Sequence, residues 1–220
     1  MDNMIKVRMF YHKKGRAKYI SHLDINRLMQ RVLKRAKLPV WYTEGFNPHM
    51  YITFALPLSL GYESEAEYMD FRLTEEMDLK EVAAILNQNM PEGISVTKVE
   101  TPICKFAEIC SAEYQVTLRA ESDAETLKAQ IEAFLSSDRI EVVKKTKRGT
   151  QTVDLKPDIQ LLSLAVQDQS VVCSVRLPAG SEKNYNPSLL FDELISRNGV
   201  KTEYQVLRKA VYVTNGQLFA

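Results

Sequence analysis

The sequence predicts an α+β fold of two tandem ferredoxin-like (βαββαβ) halves with antiparallel sheets. Three observations lead there. Apolar residues alternate from Ile5 to His12 and then recur at helical spacing from Ile25 to Ala36. A second helix and further strands follow through Val99. The same order of periods then returns after residue 112 without the same residues. The expected domains are 1–103 and 112–220, joined through Thr101–Ser111.

Ile5, Val7, Met9 and Tyr11 alternate with polar positions, the mark of a half-buried strand. Ser21 reads as the N-cap of the first helix, with Asp24 three residues on completing a capping-box pattern. Ile25, Leu28, Met29, Val32, Leu33 and Ala36 form its sheet-facing stripe, and Pro39 ends it. Val40–Thr43 reads as a short strand that Tyr51–Phe54 extends, and Tyr68–Leu73 as the next. Leu79–Asn89 is a helix stopped by Pro91 and Gly93, and Ile94–Val99 closes the set. In the second half, strands are expected at Tyr114–Leu118, Ile140–Val143, Leu161–Val166, Val171–Leu177 and Tyr204–Val213. Helices are expected at Asp123–Leu135 and, capped by Asn186 and Pro187 and stopped at Asn198–Gly199, through Arg197.

The 220 residues are 45% hydrophobic and 26% charged, ordinary values for a globular protein. The longest apolar runs are too short to span a bilayer, and the start of the chain carries no export signal, so a cytoplasmic location is expected. Cys104, Cys110 and Cys173 form no CxxC pair and read as small core residues. The net charge of +1 hides an asymmetry. Residues 1–50 hold eleven Lys or Arg against three acidic residues, residues 51–138 six against seventeen, and the rest twelve against eight. One end of the sequence is therefore cationic and its middle acidic.

Arg27, Arg31, Lys34 and Arg35 fall on the helix side away from the apolar stripe, offset there only by Asp24. Lys13, Lys14, Arg16 and Lys18 feed the same end. With Tyr19, Trp41, Tyr42 and Phe46 nearby, such a surface suits a polyanion with bases to stack. The alternative is an ordinary exposed helix whose cations meet the acidic 63–81 segment inside the fold. Glu63, Glu65 and Glu67 share one face of an extended segment and are expected to form a rim salt-bridged to that helix.

After Tyr42, the run Glu44-Gly45-Phe46-Asn47-Pro48-His49 forms a rigid turn. Gly45 permits backbone that a side chain would strain, and Pro48 keeps Asn47 out of the helical region. Glu44, Asn47 and His49 are then held in set directions, as in a binding site, although Gly, Asn and Pro are also plain turn-formers. His22, at the first helical position, can accept a proton, ligate a metal or bond to the Pro48–His49 turn. No HxH or HExxH spacing is present, so no metal or other cofactor is expected. Lys144–Lys156 reads as a basic hairpin-like loop around Gly149 that extends a cationic surface.

The runs SHLDINRLMQRVLKRAKLPVWYTEGFNP and LPLSLGYESEAEYMD closely resemble the radical SAM-linked protein family, DUF2344. KKTKRGTQTVDLKPDI and YQVLRKAVYV resemble the same family, so the likeness covers nearly the whole chain. The resemblance implies association with a radical SAM enzyme carrying a cobalamin-binding domain, and a genetic setting of RNA processing and ribosome assembly. It brings no established reaction, and the chain lacks the CxxxCxxC cluster motif. His49 stands where relatives often carry a basic residue. The tandem ferredoxin-like reading also resembles the CRISPR-associated RNA-binding superfamily, an analogy of fold alone.

Three functions follow as expectations. The first is an accessory module that binds RNA or another phosphorylated substrate for a partner enzyme. Its binding residues would be Lys18, Tyr19, His22, Arg27, Arg31, Lys34, Arg35, Tyr42, Glu44, Phe46, Asn47 and His49. The second is a metal-independent ribonuclease with His22 or His49 as base. The third is an adaptor that docks to the radical SAM enzyme and binds no nucleic acid.

Overall fold

The computed structural model describes residues 4–120, 123–146, 149–199 and 202–220. It is a mixed α/β protein with four α-helices and predominantly antiparallel sheet. The chain divides into two compact units, 1–108 with 218–220, and 109–217. No described helix is long and apolar enough to cross a membrane.

The first unit runs β1 (Ile5–Lys13), α1 (His22–Arg35), β2 (Thr53–Phe54), β3 (Glu63–Leu73), α2 (Leu79–Asn89) and β4 (Ile94–Glu100). Its strands lie in the order β4-β1-β3-β2, every pair antiparallel. Val7, Met9 and Tyr11 of β1 meet Met29, Val32 and Leu33 of α1, Val82 and Leu86 of α2, and Met69, Phe71 and Leu73 of β3 in one core. Ser21 caps α1, receiving the Asp24 N–H at 3.2 Å and donating its hydroxyl to Asp24 Oδ2 at 2.7 Å. The outer edge of β4 is closed by Asn87, whose amide pairs with both the N–H and the C=O of Val96 at 2.8 Å. An edge strand is thereby kept from pairing elsewhere.

Three expectations need correction here. Val40–Thr43 is not a strand but makes isolated bridges, Val40 to Leu73 and Tyr42 to Met50. The chain between Tyr42 and Met50 closes on itself and leaves no run long enough to form a ladder. Nor is β1 half-buried, because Arg8 and Phe10 on its second face are covered too. Arg8 is 1% exposed. It grips Asp70 with Nε at 2.7 Å and Nη2 at 2.9 Å, and donates to the carbonyls of Ala220 (2.7 Å) and Cys104 (2.9 Å). Its guanidinium lies against the neighbouring rings of Phe106 and Phe219, 4.7 and 4.4 Å from their centroids. The expected second domain included Leu218–Ala220; this cluster holds them in the first unit.

The second unit runs β5 (Ile109–Arg119), α3 (Ala124–Leu135), β6 (Glu141–Thr146), β7 (Gly149–Asp154), β8 (Gln160–Gln167), β9 (Ser170–Pro178), α4 (Pro187–Asn198) and β10 (Tyr204–Val213). Its sheet order is β10-β5-β9-β8, again antiparallel. The expected strand at Ile140–Val143 starts one residue later and pairs only with β7, as a separate hairpin. Asp154 ties that hairpin's base, accepting N–H bonds from Ile140 and Lys156 that hold its carboxyl below the usual range. Lys147 and Arg148, central to the expected basic loop, lie outside the described residues. Asn186 caps α4 and Gly199, at φ 61°, ends it, as the turn chemistry predicts.

All three cysteines are free, but only Cys173 is a core residue; Cys110 is exposed and Cys104 half-buried. Burial pushes the Cys173 thiol up to about 12. Iodoacetamide at pH 8 should therefore label Cys110 and spare Cys173 until the protein is unfolded, as read by mass spectrometry; early labelling of Cys173 would contradict its burial. Arg8→Met leaves Asp70 without its partner and should cost about 3 kcal/mol in urea unfolding. A loss below about 1 kcal/mol would show that the guanidinium cluster is not a main support of the first unit.

Candidate functional site

The rotation of α1 is set by Ile25, Met29, Val32 and Leu33, each at most 4% exposed. At about 100° per residue, Arg27, Gln30, Arg31 and Lys34 then fall within one arc of about 100° on the opposite side. Arg35 lies beyond that arc, turned toward α2. There its Nε donates to Asn89 Oδ1 at 3.1 Å and its Nη2 to the Asn89 carbonyl.

The turn after Tyr42 comes to the same side. Thr43 N–H donates to the His49 carbonyl at 2.8 Å, and His49 N–H donates to Thr43 Oγ1 at 3.1 Å. His49 Nδ1 lies 3.0 Å from Thr43 Oγ1 and 3.2 Å from the Asn47 carbonyl. Both contacts are made through Nδ1, so the ring is seated from one side and Nε2 is left for another partner. Gly45 adopts φ +117°, a conformation closed to most side chains. Glu44, Phe46 and Asn47 are all exposed, Phe46 at 112% of its reference area.

Helix and turn together line a recess of about 450 Å³ formed by Arg27, Gln30, Arg31, Lys34, Tyr42, Pro48, His49 and Met50. No carboxylate of the described residues lines it. Arg27 has an ion pair with Asp24 at 3.4 Å, exposed on both sides. Such a pair contributes less than about 1 kcal/mol and leaves the guanidinium open to a competing anion. Among the described residues, Arg31 and Lys34 have no acidic group within salt-bridge range.

The acidic segment is engaged elsewhere. Glu65 pairs with Lys14 at 2.6 Å, and Glu63 accepts the Gly15 N–H at 3.0 Å. The β1–β3 register, which sets Lys13 opposite Ser64, directs these glutamates to the loop before α1. The expected rim therefore meets that loop, not the cations of the helix. Lys13 is itself 3% exposed, with Nζ donating to the Ile20 carbonyl at 2.8 Å.

Of the sequence-predicted residues, Arg27, Arg31, Lys34, Tyr42 and His49 share the recess, and Glu44, Phe46 and Asn47 stand in the turn beside it. Lys18, Tyr19 and His22 lie toward the other end of α1. His22 is nine residues from Arg31, about 13 Å along the axis. Its ring packs edge-on against Phe54 at 5.2 Å in a separate small crevice with Lys13 and Glu67, not against the Pro48–His49 turn. Trp41 also faces elsewhere, under Arg72, whose guanidinium lies 5.1 Å from its ring and 4.3 Å from that of Tyr51. Gln30 and Met50 complete the recess without having been singled out, and Pro48, expected only to stiffen the turn, lines it too. Gln30 was legible as the position three past Arg27 and four before Lys34.

No curated protein matches the chain. Among solved structures, it is similar to a chain in the crystal structure of a Cbf5-Nop10-Gar1 complex, at 11% identity and a TM-score of 0.52. That likeness covers 93% of this chain but only 48% of the other, and at this identity it concerns fold alone. The model of an uncharacterised protein family conserved in bacteria, DUF2344, matches residues 6–187, and the protein belongs to that family.

Proposed function

We propose that this protein is an accessory module that holds a phosphorylated ligand, RNA foremost, in the recess between α1 and the Thr43–His49 turn, for a partner enzyme to act upon. The observation that carries the reading is the composition of that recess. Three cations line it, two of them without an acidic partner among the described residues, and no carboxylate does. Cations exposed together with no counter-charge repel one another, and a bound phosphate removes that repulsion. Gln30 and His49 add polar groups within reach of the hydroxyls beside a bound phosphate.

The partner we propose is a radical SAM enzyme with a cobalamin-binding domain, on the strength of the family likeness in sequence. Three free thiols suit the reducing cytoplasm in which such a pair would work. We also read each unit as ferredoxin-like: the strands of each run in the same outer, first, third and second order, which supports a tandem pair. The ribonuclease alternative would rest on His49 as base in this recess, since His22 lines a separate crevice.

Reversing the two unpaired cations tests the reading. Arg31→Glu with Lys34→Glu should weaken binding of a labelled 12-nucleotide RNA at least tenfold at low salt, measured by fluorescence anisotropy. The slope of log affinity against log salt should fall by about 1.4, the share of two phosphate contacts on a single strand. Lys128→Glu, on α3, should change neither. Equal affinity of the double variant and the wild type would overturn the proposal.

A further inference from the structure

Phe46 is the most exposed large apolar side chain described, at 112% of its reference area, and it owes that position to the turn beneath it. The Thr43–His49 bonds close the turn, Gly45 takes φ +117°, and Pro48 fixes the returning strand. A ring presented this way packs against nothing in the fold and has both faces open to a ligand. The surroundings indicate what. An apolar protein partner would be met by a wide apolar patch around the ring; Phe46 instead has Glu44, Gly45 and Asn47 beside it in the chain, and the same turn goes on to line the cationic recess with Pro48 and His49. Two residues separate it from His49, so its Cα stands within about 11 Å of that residue's, roughly three stacked nucleotides at about 3.4 Å each. Tyr42, 44% exposed, offers a second ring inside the recess itself.

We propose that the recess and the Phe46 tip together bind single-stranded nucleic acid, with backbone phosphates held by Arg27, Arg31 and Lys34 and an unpaired base stacked on Phe46. This inference rests on the anion-binding reading and adds the strandedness of the ligand. In a duplex both faces of every base are already stacked, so the ring has no face to meet; a single strand offers one at each nucleotide. Base stacking on an aromatic ring tolerates any sequence, so the site reads strandedness and charge and is indifferent to base identity.

The test compares 12-nucleotide oligo(A) RNA, the same DNA sequence, and a 12-base-pair RNA duplex in anisotropy titrations at 50 mM salt, using full-length protein. Phe46→Ala disturbs no packing and should weaken both single strands about 5- to 150-fold, leaving the salt slope and duplex affinity unchanged. Phe46→Tyr should restore binding. If the RNA strand alone is affected, the site takes RNA and the DNA arm of the inference falls. Phe46→Ala binding like wild type, or a duplex binding as tightly as the single strand, overturns the inference. The anion-binding reading survives that result if Arg31→Glu with Lys34→Glu still abolishes binding, and fails with it if that variant too is silent or the wild type binds no probe.

Discussion

Burial of Ile25, Met29, Val32 and Leu33 against the first sheet fixes the rotation of α1, and that rotation decides where its cations go. A helix carrying a continuous apolar stripe cannot turn without exposing it, at a cost of about 1.5–3 kcal/mol for each large side chain. That cost far exceeds the gain from any surface ion pair the cations might reach by turning. Arg27, Arg31 and Lys34 are therefore held on the outward face whether or not they find partners there. Capping by Ser21 and Asp24 fixes where the helix starts, and so the height at which the cations stand.

The acidic residues that might have neutralised them are committed by strand register. Asp70 lies opposite Arg8 across β1 and β3 and is bound in a two-pronged pair beneath two phenylalanine rings. Glu63 and Glu65 face the loop before α1, where Lys14 and the Gly15 N–H hold them. The segregation of charge along the sequence is thus only partly cancelled in the fold. What remains is concentrated beside a turn whose own backbone bonds keep Tyr42, Phe46 and His49 in fixed places.

Much of this was legible in the residues. Helical periodicity separated the recess cations from the core stripe, and Ser21, Asn186-Pro187 and Gly199 marked helix ends through chemistry that acts within a few residues. Local signals failed where distant chain intervened. Arg35 matches its neighbours in type but contacts the end of α2, a meeting that no spacing reveals. The second face of β1 is covered by residues more than two hundred positions away, so alternation alone suggested exposure. Val142 and its neighbours have strand-forming composition, yet their ladder partner is the adjacent β7 and not the sheet. Lys18, Tyr19 and His22 were grouped with the recess by closeness in sequence, and helix rise carries them away from it.

Chemical-shift mapping of the isotopically labelled protein during titration with a short single-stranded oligonucleotide tests the central claim most directly. The account predicts that backbone amides of residues 27–34 and 42–50 shift together, on one saturating curve, and that high salt reverses them. Shifts centred on other cationic surfaces, such as those around Lys98 or Lys128, with 27–34 and 42–50 silent, would contradict it.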